Sequence, residues 1–572
     1  MQSVVRSWAE RKAGPSHLAC QRSAQSKRVA AVGIIVVLSL VFARLANAVQ
    51  LLNVTLAPDV AGDAAGRLLV FAEPVAAGHD SGVVDASVLQ PTTVAVAGQD
   101  VRTFGLDRRV TVDLDQDASQ EGFSNLPTGD YRMQVVLDPD GDYGHDGRDA
   151  GDILSDVTVV HLPLAAGVAI PLQHILPQVD IWNPLDASAD ERSRLALAKP
   201  LLTDFVIESP LLSAYWGRPV HLQAWVLVPT DYDAHGAKTW PVVYVCGTGS
   251  SGYSQNLSLA SLVAQMNQRQ NVPKMIWVFL NYATQTGTTE FADSVNNGPW
   301  EAALLRELVP ALENRFRMDA KPSSRFLTGH SSGGWASIWL ETRHPDFFGG
   351  AWATAPDPVD FHDFVGIDLY DPSANMFVDA RGHLRPLVRA HGEVTATLRD
   401  WVRLEEVLGH TGGTFQSFES VFSPRAPDGT AARLFDRVTG AVNPTVAAYW
   451  RDHYDISLQI DHMKTGVRRK LSGKLHVTVG DVDTFYLTGS VQKLQSELQR
   501  RAVAADIHVI PGKNHNNLYG TRENPLALLG EFCRAMYESA RPKRSSVHKS
   551  QEDAQGSRET LLSQRTATVP VP

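Results

Sequence analysis

The chain has 572 residues, of which 44% are hydrophobic and 20% are charged, and its formal net charge is −10. This composition is typical of globular proteins, and the length predicts more than one domain. Because binding to a phosphate backbone requires clustered Lys and Arg side chains, we expect no nucleic-acid partner.

The first 48 residues have the pattern of a secretory signal peptide. An apolar run at 29–43 follows Lys27 and Arg28 and precedes an Ala-Asn-Ala triplet that ends at Ala48. Small residues at these places are typical of a cleavage site, here after Ala48. We expect export to the periplasm or the medium, with no stable membrane span after cleavage. An N-terminal membrane anchor is the alternative, although the run is short for a bilayer that needs about 20 residues.

Residues 49–175 predict a β-sandwich-like domain. Short stretches with alternating apolar residues at 51–56, 67–71 and 131–137 are separated by Gly, Pro and Asp residues. Regularly spaced short strands without a helical period favour two packed sheets. The prolines that follow, at 163, 171 and 177, are interpreted as a linker.

An acidic loop within this domain is a candidate calcium site. Residues 138–149 read DPDGDYGHDGRD and contain five carboxylates. Calcium prefers six to eight hard oxygen ligands, although this loop has no Glu at its twelfth position and is therefore not an EF-hand. The candidate ligands are Asp138, Asp140, Asp142 and Asp146. A solvated acidic loop without an ion is the alternative.

Residues 176–540 predict an α/β domain. Apolar stretches at 220–228, 241–246 and 275–280 are typical of buried strands, and 300–316 has the three-to-four spacing of an amphipathic helix. This alternation predicts a doubly wound, mostly parallel sheet that binds its ligand at the carboxyl ends of the strands. The polar residues 541–572 predict a disordered tail.

The strongest chemical signal is a G-x-S-x-G motif centred on Ser331. The sequence RFLTGHSSGGW places it between an apolar strand and a helix, which is the setting of a nucleophile elbow. Glycines at 329 and 333 are expected because a side chain at either position would collide with the neighbouring strand or helix. Ser332 is the rival hydroxyl, but Ser331 holds the central position of the motif.

A serine nucleophile needs a general base, which in turn needs an orienting carboxylate. Asp483 follows the predicted strand 475–479, and Asp481 is the alternative acid. His515 follows the predicted last strand, 507–510, and is the candidate base. His330 is excluded as the base because of its direction along the elbow.

The oxyanion of a tetrahedral intermediate needs preorganised N–H donors. We expect one donor to be the amide of Ser332 and the second to come from the glycine-rich loop 246–253, with Thr248 as the candidate. Tyr253 and Trp300 are candidate pocket residues, and a packed core aromatic is the alternative for Trp300. The G-x-G-x-x-G spacing at 247–252 does not continue into a helix, so a dinucleotide site is not predicted.

The region 241–518 resembles the putative esterase family, which includes enterochelin esterases, feruloyl esterases, S-formylglutathione hydrolase and mycolyltransferases. The segments that carry the resemblance are PVVYVCGTGSSG, FADSVNNGPWEAALLRELVPALENRFR, RFLTGHSSGGWASIWL, GDVDTFYL and PGKNHNNLY. The resemblance implies an α/β-hydrolase fold and hydrolysis of a small-molecule or glycan ester by a Ser, Asp, His triad, without a cofactor. Many members open the oxyanion loop with His-Gly, where this chain has Cys246-Gly247.

A long insertion, about 356–470, separates the elbow from the acid. Material at this place lies over the active site as a cap or rim in such folds and can set substrate choice. A structural elaboration is the alternative, and Asp357 and Asp360 within it are alternative triad acids. An acyltransferase with the same triad and an inactive binding protein are the alternative functions.

Overall fold

The computed structural model describes residues 49–60, 64–75, 82–184, 187–248, 255–269, 271–520, 524 and 526–542. The predicted signal peptide, Tyr253 and the predicted tail beyond residue 542 lie outside the described residues. Among the described residues, we find no helix that combines the length and the apolar character of a membrane span. Most residues up to Ala196 form one compact unit, and most from Leu197 onward form a second.

The first unit consists of two sheets that share one apolar core. Residues from both sheets, among them Leu52, Val54, Val70 and Val135, are fully buried in the same cluster. The three-stranded sheet has the order Arg109–Asp113, Leu51–Leu56, Ala169–Leu172. The larger sheet has the order Ala95–Val101, Gly66–Pro74, Gly129–Asp138, Ile153–Leu154, His174–Ile175, and Thr158–Leu162 also pairs with Gly129–Asp138.

The segment interpreted as a linker instead carries strands of these sheets. Pro171 lies in the strand Ala169–Leu172, and the unit boundary comes later, near Ala196. This strand pairs on one side only, with Leu51–Leu56. A proline is tolerated on an edge strand because its missing N–H is not needed for pairing on the open side. The prolines therefore mark a strand edge and a turn, where the sequence predicted a linker.

The second unit is built on one eight-stranded sheet. Its strands in chain order are β1 (Leu202–Glu208), β2 (His221–Leu227), β3 (Val242–Thr248), β4 (Ile276–Leu280), β5 (Arg325–His330), β6 (Gly350–Thr354), β7 (Leu475–Gly480) and β8 (Asp506–Ile510). In space they follow the order β1-β2-β4-β3-β5-β6-β7-β8. The pairs β1–β2 and β2–β4 are antiparallel, and all the others are parallel. The sheet confirms the predicted α/β-hydrolase class.

Helices connect these strands and build the insertion. Their bounds are Ala189–Ala198, Pro210–Trp216, Gln255–Gln268, Trp300–Ala303, Val309–Arg315, Ser332–Arg343, Leu398–Leu408, Thr414–Phe422, Pro444–Tyr454, Ile456–His462, Thr465–Arg468, Thr488–Arg500 and Ala527–Ala540. A π-helical turn, Leu304–Leu308, joins the two helices of the predicted segment 300–316 and ends just before Pro310. Pro310 has no N–H to donate to the preceding turn, and this missing hydrogen bond explains why the helix changes its pitch here.

Ser331 occupies a sharp turn between β5 and the helix Ser332–Arg343. Its backbone angles are φ 58° and ψ −122°, a region that costs a non-glycine residue free energy. A Cβ on Gly329 would overlap the backbone of Gly333, and a Cβ on Gly333 would overlap the carbonyl oxygen of Gly247 in β3. The glycines therefore let the helix approach the sheet closely enough to hold the turn.

We predict that Gly333→Ala destabilises the second unit, by about 3 kcal/mol, because the added methyl group meets backbone that cannot move aside. Gly466→Ala is the matched control, since a Cβ there meets open space within the helix Thr465–Arg468. Thermal unfolding of both variants beside the wild type checks the prediction. Equal melting temperatures for the two variants would contradict it.

Candidate functional site

The candidate acid and base meet at the carboxyl ends of β7 and β8. Asp483 lies three residues beyond the end of β7, and its Oδ2 is 3.0 Å from Nδ1 of His515. Its other oxygen, Oδ1, accepts from the backbone N–H of Phe485 at 2.9 Å and of Leu487 at 3.4 Å. Asp483 is fully buried, so these donors replace the water that a carboxylate requires. A carboxylate held in this way fixes the orientation and tautomer of the imidazole.

Two aromatic rings hold the imidazole of His515 in place. Phe485 packs edge-on against it with ring centroids 4.8 Å apart, and the ring of His330 lies 4.4 Å away. Nδ1 of His330 is 3.0 Å from the hydroxyl of Thr354, and burial lowers the pKa of His330 well below its usual value. A neutral ring supports His515 without repelling the charge it gains as a base. His330 thus has a packing role.

The hydroxyl of Ser331 donates to Asp357 Oδ1 at 3.1 Å, and the hydroxyl of Ser332 donates to Asp357 Oδ2 at 2.6 Å. Asp357 follows β6 and contacts Ser331, the candidate nucleophile, while Asp483 faces Nδ1 of His515. Neither Asp357 nor Asp360 has the contact required of a triad acid. Asp360 instead accepts from the N–H of His362 and caps a short helix.

The alternative acid Asp481 also has another role. Its Oδ1 accepts from the backbone N–H of Gly512, at 2.7 Å, in the turn after β8. This bond ties the acid loop to the loop that carries His515.

The candidate oxyanion donors flank the elbow. Ser332 is the first residue of the helix after Ser331, where backbone N–H groups lack helical partners. Thr248 is the last residue of β3, and its backbone pairs with His330 after a shift in register. Gly247 lies against the ring of Tyr282, where a side chain would not fit. The two donor assignments stay predictions.

The structure favours the core interpretation of Trp300. Its side chain is buried, and Nε1 donates to the carbonyl of Asn297 at 2.9 Å. The next residue, Glu301, accepts from Trp339 in the elbow helix and from His344 beyond it. Glu301 therefore holds the helix Ser332–Arg343 in place through hydrogen bonds near its C-terminal end.

The insertion supports the catalytic loops. Arg389 donates to the carbonyls of Asp483 at 2.9 Å and Asp481 at 3.3 Å, and its guanidinium lies over the ring of Tyr486. Trp401 packs edge-on against Phe485, the residue that contacts His515. An aromatic cluster joins the elbow helix to the insertion through Trp335, Trp339, Phe361, Phe422, Trp450 and Tyr454.

No sequence motif predicts that Glu290 and Arg389 belong to the candidate site. Glu290 lies in a turn with φ 49°, followed by Phe291 at φ 44°, and local sequence does not predict such a turn for non-glycine residues. Arg389 donates to backbone carbonyls, and because every residue has a carbonyl, the sequence does not reveal which ones it contacts. Only the tertiary structure identifies them.

The acidic loop 138–149 brings three carboxylates together. Oxygens of Asp138, Asp140 and Asp142 lie within 4.8 Å of one another, whereas Asp146 lies further along, in the helix Tyr143–Asp146. Asp138 is buried and accepts from the N–H groups of Asp140 and Gly141. Calcium binding by these residues stays a prediction.

Asp152 carries a testable consequence of this crowding. Burial, together with the charges of the neighbouring Asp residues, raises the pKa of Asp152 to about 7. A carboxyl whose pKa is raised by folding stabilises the fold when protonated, and this contribution is lost as the pH rises from about 4 to about 7. We predict that Asp152→Asn flattens this decline in thermal stability. Asp156→Asn, at an exposed position, is the control that keeps the decline. Identical pH profiles for wild type and Asp152→Asn would contradict the assignment.

We predict that Arg389→Ala lowers kcat for an aryl ester about 10- to 100-fold, because small displacements of catalytic groups are costly. Arg389→Lys is expected to recover part of the loss, since it keeps one donor. Arg385→Ala is the matched control, because Arg385 bonds carbonyls of Asn375 and Val378, away from the acid loop. Wild-type kcat in Arg389→Ala would contradict a positioning role.

Comparison with known proteins gives a family assignment. The model of the family described as putative esterase matches residues 213–520, more than half of the chain. Similar solved structures include a ferulic acid esterase, with 12% identity, coverage of 59% of this chain and 98% of that one, and a TM-score of 0.36. An S-formylglutathione hydrolase from Agrobacterium tumefaciens has 12% identity, coverage of 59% and 95%, and a TM-score of 0.35. FphF, a fluorophosphonate-binding serine hydrolase of Staphylococcus aureus, has 14% identity, coverage of 59% and 98%, and a TM-score of 0.33.

No curated protein matches the chain. The family match covers β2 to β8, the elbow and both candidate catalytic loops. The chain belongs to the putative esterase family and is an esterase.

Proposed function

We propose that the protein is an exported serine hydrolase of carboxylic esters that works through an acyl-enzyme, with Ser331 as nucleophile, His515 as base and Asp483 as orienting acid. The observation that carries the proposal is the contact between buried Asp483 and His515, whose Oδ2 and Nδ1 are 3.0 Å apart. These residues follow β7 and β8, and Ser331 lies in a strained turn after β5. Export rests on the pattern of the first 48 residues.

Acylation begins when the Ser331 hydroxyl turns from Asp357 toward His515. His515 takes the hydroxyl proton as Oγ attacks the ester carbonyl, and Asp483 stabilises the imidazolium that forms. The imidazolium then donates that proton to the departing alkoxide. The alcohol leaves, and the acyl group stays on Oγ.

Deacylation repeats these steps with water. His515 removes a proton from water, the hydroxide attacks the acyl carbon, and Ser331 regains its proton as the acid departs. The amides of Ser332 and Thr248 are the proposed donors to the oxyanion in both halves. Preorganised donors of this kind are worth about 3–4 kcal/mol each in known hydrolases.

The insertion is proposed to control substrate choice as well as loop position. Near its start at about residue 356 it contains Asp357, which contacts Ser331, and its helix Thr414–Phe422 contacts the loop that carries Glu290 through Ser417. A substrate that reaches Ser331 therefore meets groups supplied or held by the insertion. This proximity supports a role in specificity.

The test is hydrolysis of aryl, feruloyl and acetyl-sugar esters by the purified mature protein and its variants. Ser331→Ala is expected to abolish turnover and labelling by a fluorophosphonate probe, because no other group takes the place of the nucleophile. Asp483→Asn is expected to lower kcat roughly 10⁴-fold while leaving the fold intact, as in other triads.

Asp360→Asn is the matched control for Asp483→Asn, because Asp360 is a buried Asp of the same unit without a contact to His515. Its kcat is expected to stay close to that of the wild type. Undiminished labelling in Ser331→Ala, or equal losses in the two Asp variants, would refute the assignment.

A further inference from the structure

Two carboxyl groups besides Asp483, those of Asp357 and Glu290, lie close to Ser331 and Ser332. Asp357 accepts from the hydroxyls of Ser331 and Ser332, at 3.1 and 2.6 Å. Glu290 accepts from the hydroxyl of Thr288 at 2.8 Å and also interacts with Ser332 and with the charge of Asp357. The proposed hydrolytic steps do not require either carboxyl group.

This pair has no cationic protein partner within the part of the chain that the structure describes. Oε2 of Glu290 is buried without any hydrogen-bond partner, and Glu290 as a whole is 2% exposed. The cationic form of His515 attracts Asp357 electrostatically, but its Nδ1 already faces Asp483. The two serine hydroxyls donate to Asp357 but do not neutralise a negative charge on it, so a ligand that supplies positive charge would be favoured here.

The turn that carries Glu290 is held in place despite its strain. Glu290 and Phe291 both have positive φ, at 49° and 44°. The insertion fixes the turn, because the N–H of Thr288 donates to the hydroxyl of Ser417 at 2.8 Å. Strain of this kind persists where the surrounding structure maintains it, often at ligand sites.

Two buried carboxyl groups that lie close together disfavour a second negative charge, so we expect the pair to hold one proton and one negative charge. Burial and the charge of Asp357 raise the pKa of Glu290 well above its usual value, and both effects favour its protonated form. Burial also raises the pKa of Asp357, while the Ser332 hydroxyl, His515 and the Ser331 hydroxyl act in the opposite direction, and Asp483 adds to the rise. Asp357 is 8% exposed against 2% for Glu290, and it is the member of the pair that contacts Ser331.

We propose that Asp357, with Glu290 buried beside it, binds the positive charge of a cationic ester next to the scissile bond, so that esters bearing an ammonium group are the preferred substrates. The inference rests on the proposed function, because it assigns a substrate class to the same nucleophile. A bound cation also competes with Ser331 for Asp357 and thereby frees the hydroxyl to turn toward His515. Cation binding and nucleophile release are thus coupled at one carboxylate.

The test compares esters that differ only in charge. One pair consists of the choline and 3,3-dimethylbutyl esters of one acid, which place the charge on the alcohol. The other consists of phenyl esters of trimethylammonioacetic and 3,3-dimethylbutanoic acids, which place it on the acyl group. We expect the wild type at pH 8 to prefer the cationic member of at least one pair by about tenfold or more in kcat/KM.

Asp357→Asn is expected to reduce this preference about tenfold, and comparing variants cancels the intrinsic reactivity of each ester. Glu290→Gln is expected to retain the preference, because it imitates the protonated acid. Asp360→Asn, three residues from Asp357 and equally buried, is the control that also retains it. In the wild type, the preference is expected to fall as the pH is lowered, since protonation of Asp357 removes the negative charge.

A wild-type preference near one for both pairs overturns the proposal, as does an undiminished preference in folded Asp357→Asn. If that variant does not fold, the proposal is overturned when choline inhibits wild-type hydrolysis of the neutral esters no better than 3,3-dimethylbutanol does. Hydrolysis of the neutral esters, which Ser331→Ala abolishes, distinguishes failure of the proposed function from failure of the charge preference. When it is present without a charge preference, only this inference fails; when it is absent, the proposed function fails.

Discussion

The close approach of the elbow helix to the sheet is the constraint on which the site depends. Ser331 holds its strained backbone because Gly329 and Gly333 allow helix and strand to touch, and Gly333 in turn rests on Gly247. The same contact brings the end of β3, the start of the helix and the end of β5 together. One packing event therefore positions the nucleophile and both proposed oxyanion donors.

Burial of charge is the second constraint. Three carboxyl groups, Asp483, Asp357 and Glu290, lie at the same edge of the sheet with little access to water. Asp483 is satisfied by His515 and two backbone N–H groups, whereas Asp357 depends on serine hydroxyls and Glu290 retains an unpartnered oxygen. The insertion holds these loops through Arg389 and Ser417. The insertion therefore has a structural role in the site, beside the role in substrate choice proposed for it.

The sequence predicted the parts of this arrangement that follow from local pattern and chain order. Buried strands and the G-x-S-x-G turn have strong local signals, and Asp483 and His515 follow from their places after consecutive strands. The contact between Asp357 and Ser331 needs tertiary structure, because strand order brings a residue after β6 near the nucleophile without deciding which group it faces. Glu290 depends on a positive-φ turn held by a distant helix. Pro171 was misinterpreted because an edge strand tolerates a proline, as a linker does.

The most direct measurement of the central claim is a crystal structure of the protein inactivated by a fluorophosphonate. The account predicts a phosphonyl group on Oγ of Ser331, with Nε2 of His515 within about 3 Å of a phosphonyl or leaving-group oxygen. It also predicts one phosphonyl oxygen between the amides of Ser332 and Thr248. A covalent adduct on another residue, or His515 more than about 6 Å from the phosphorus with its loop ordered, would contradict the account.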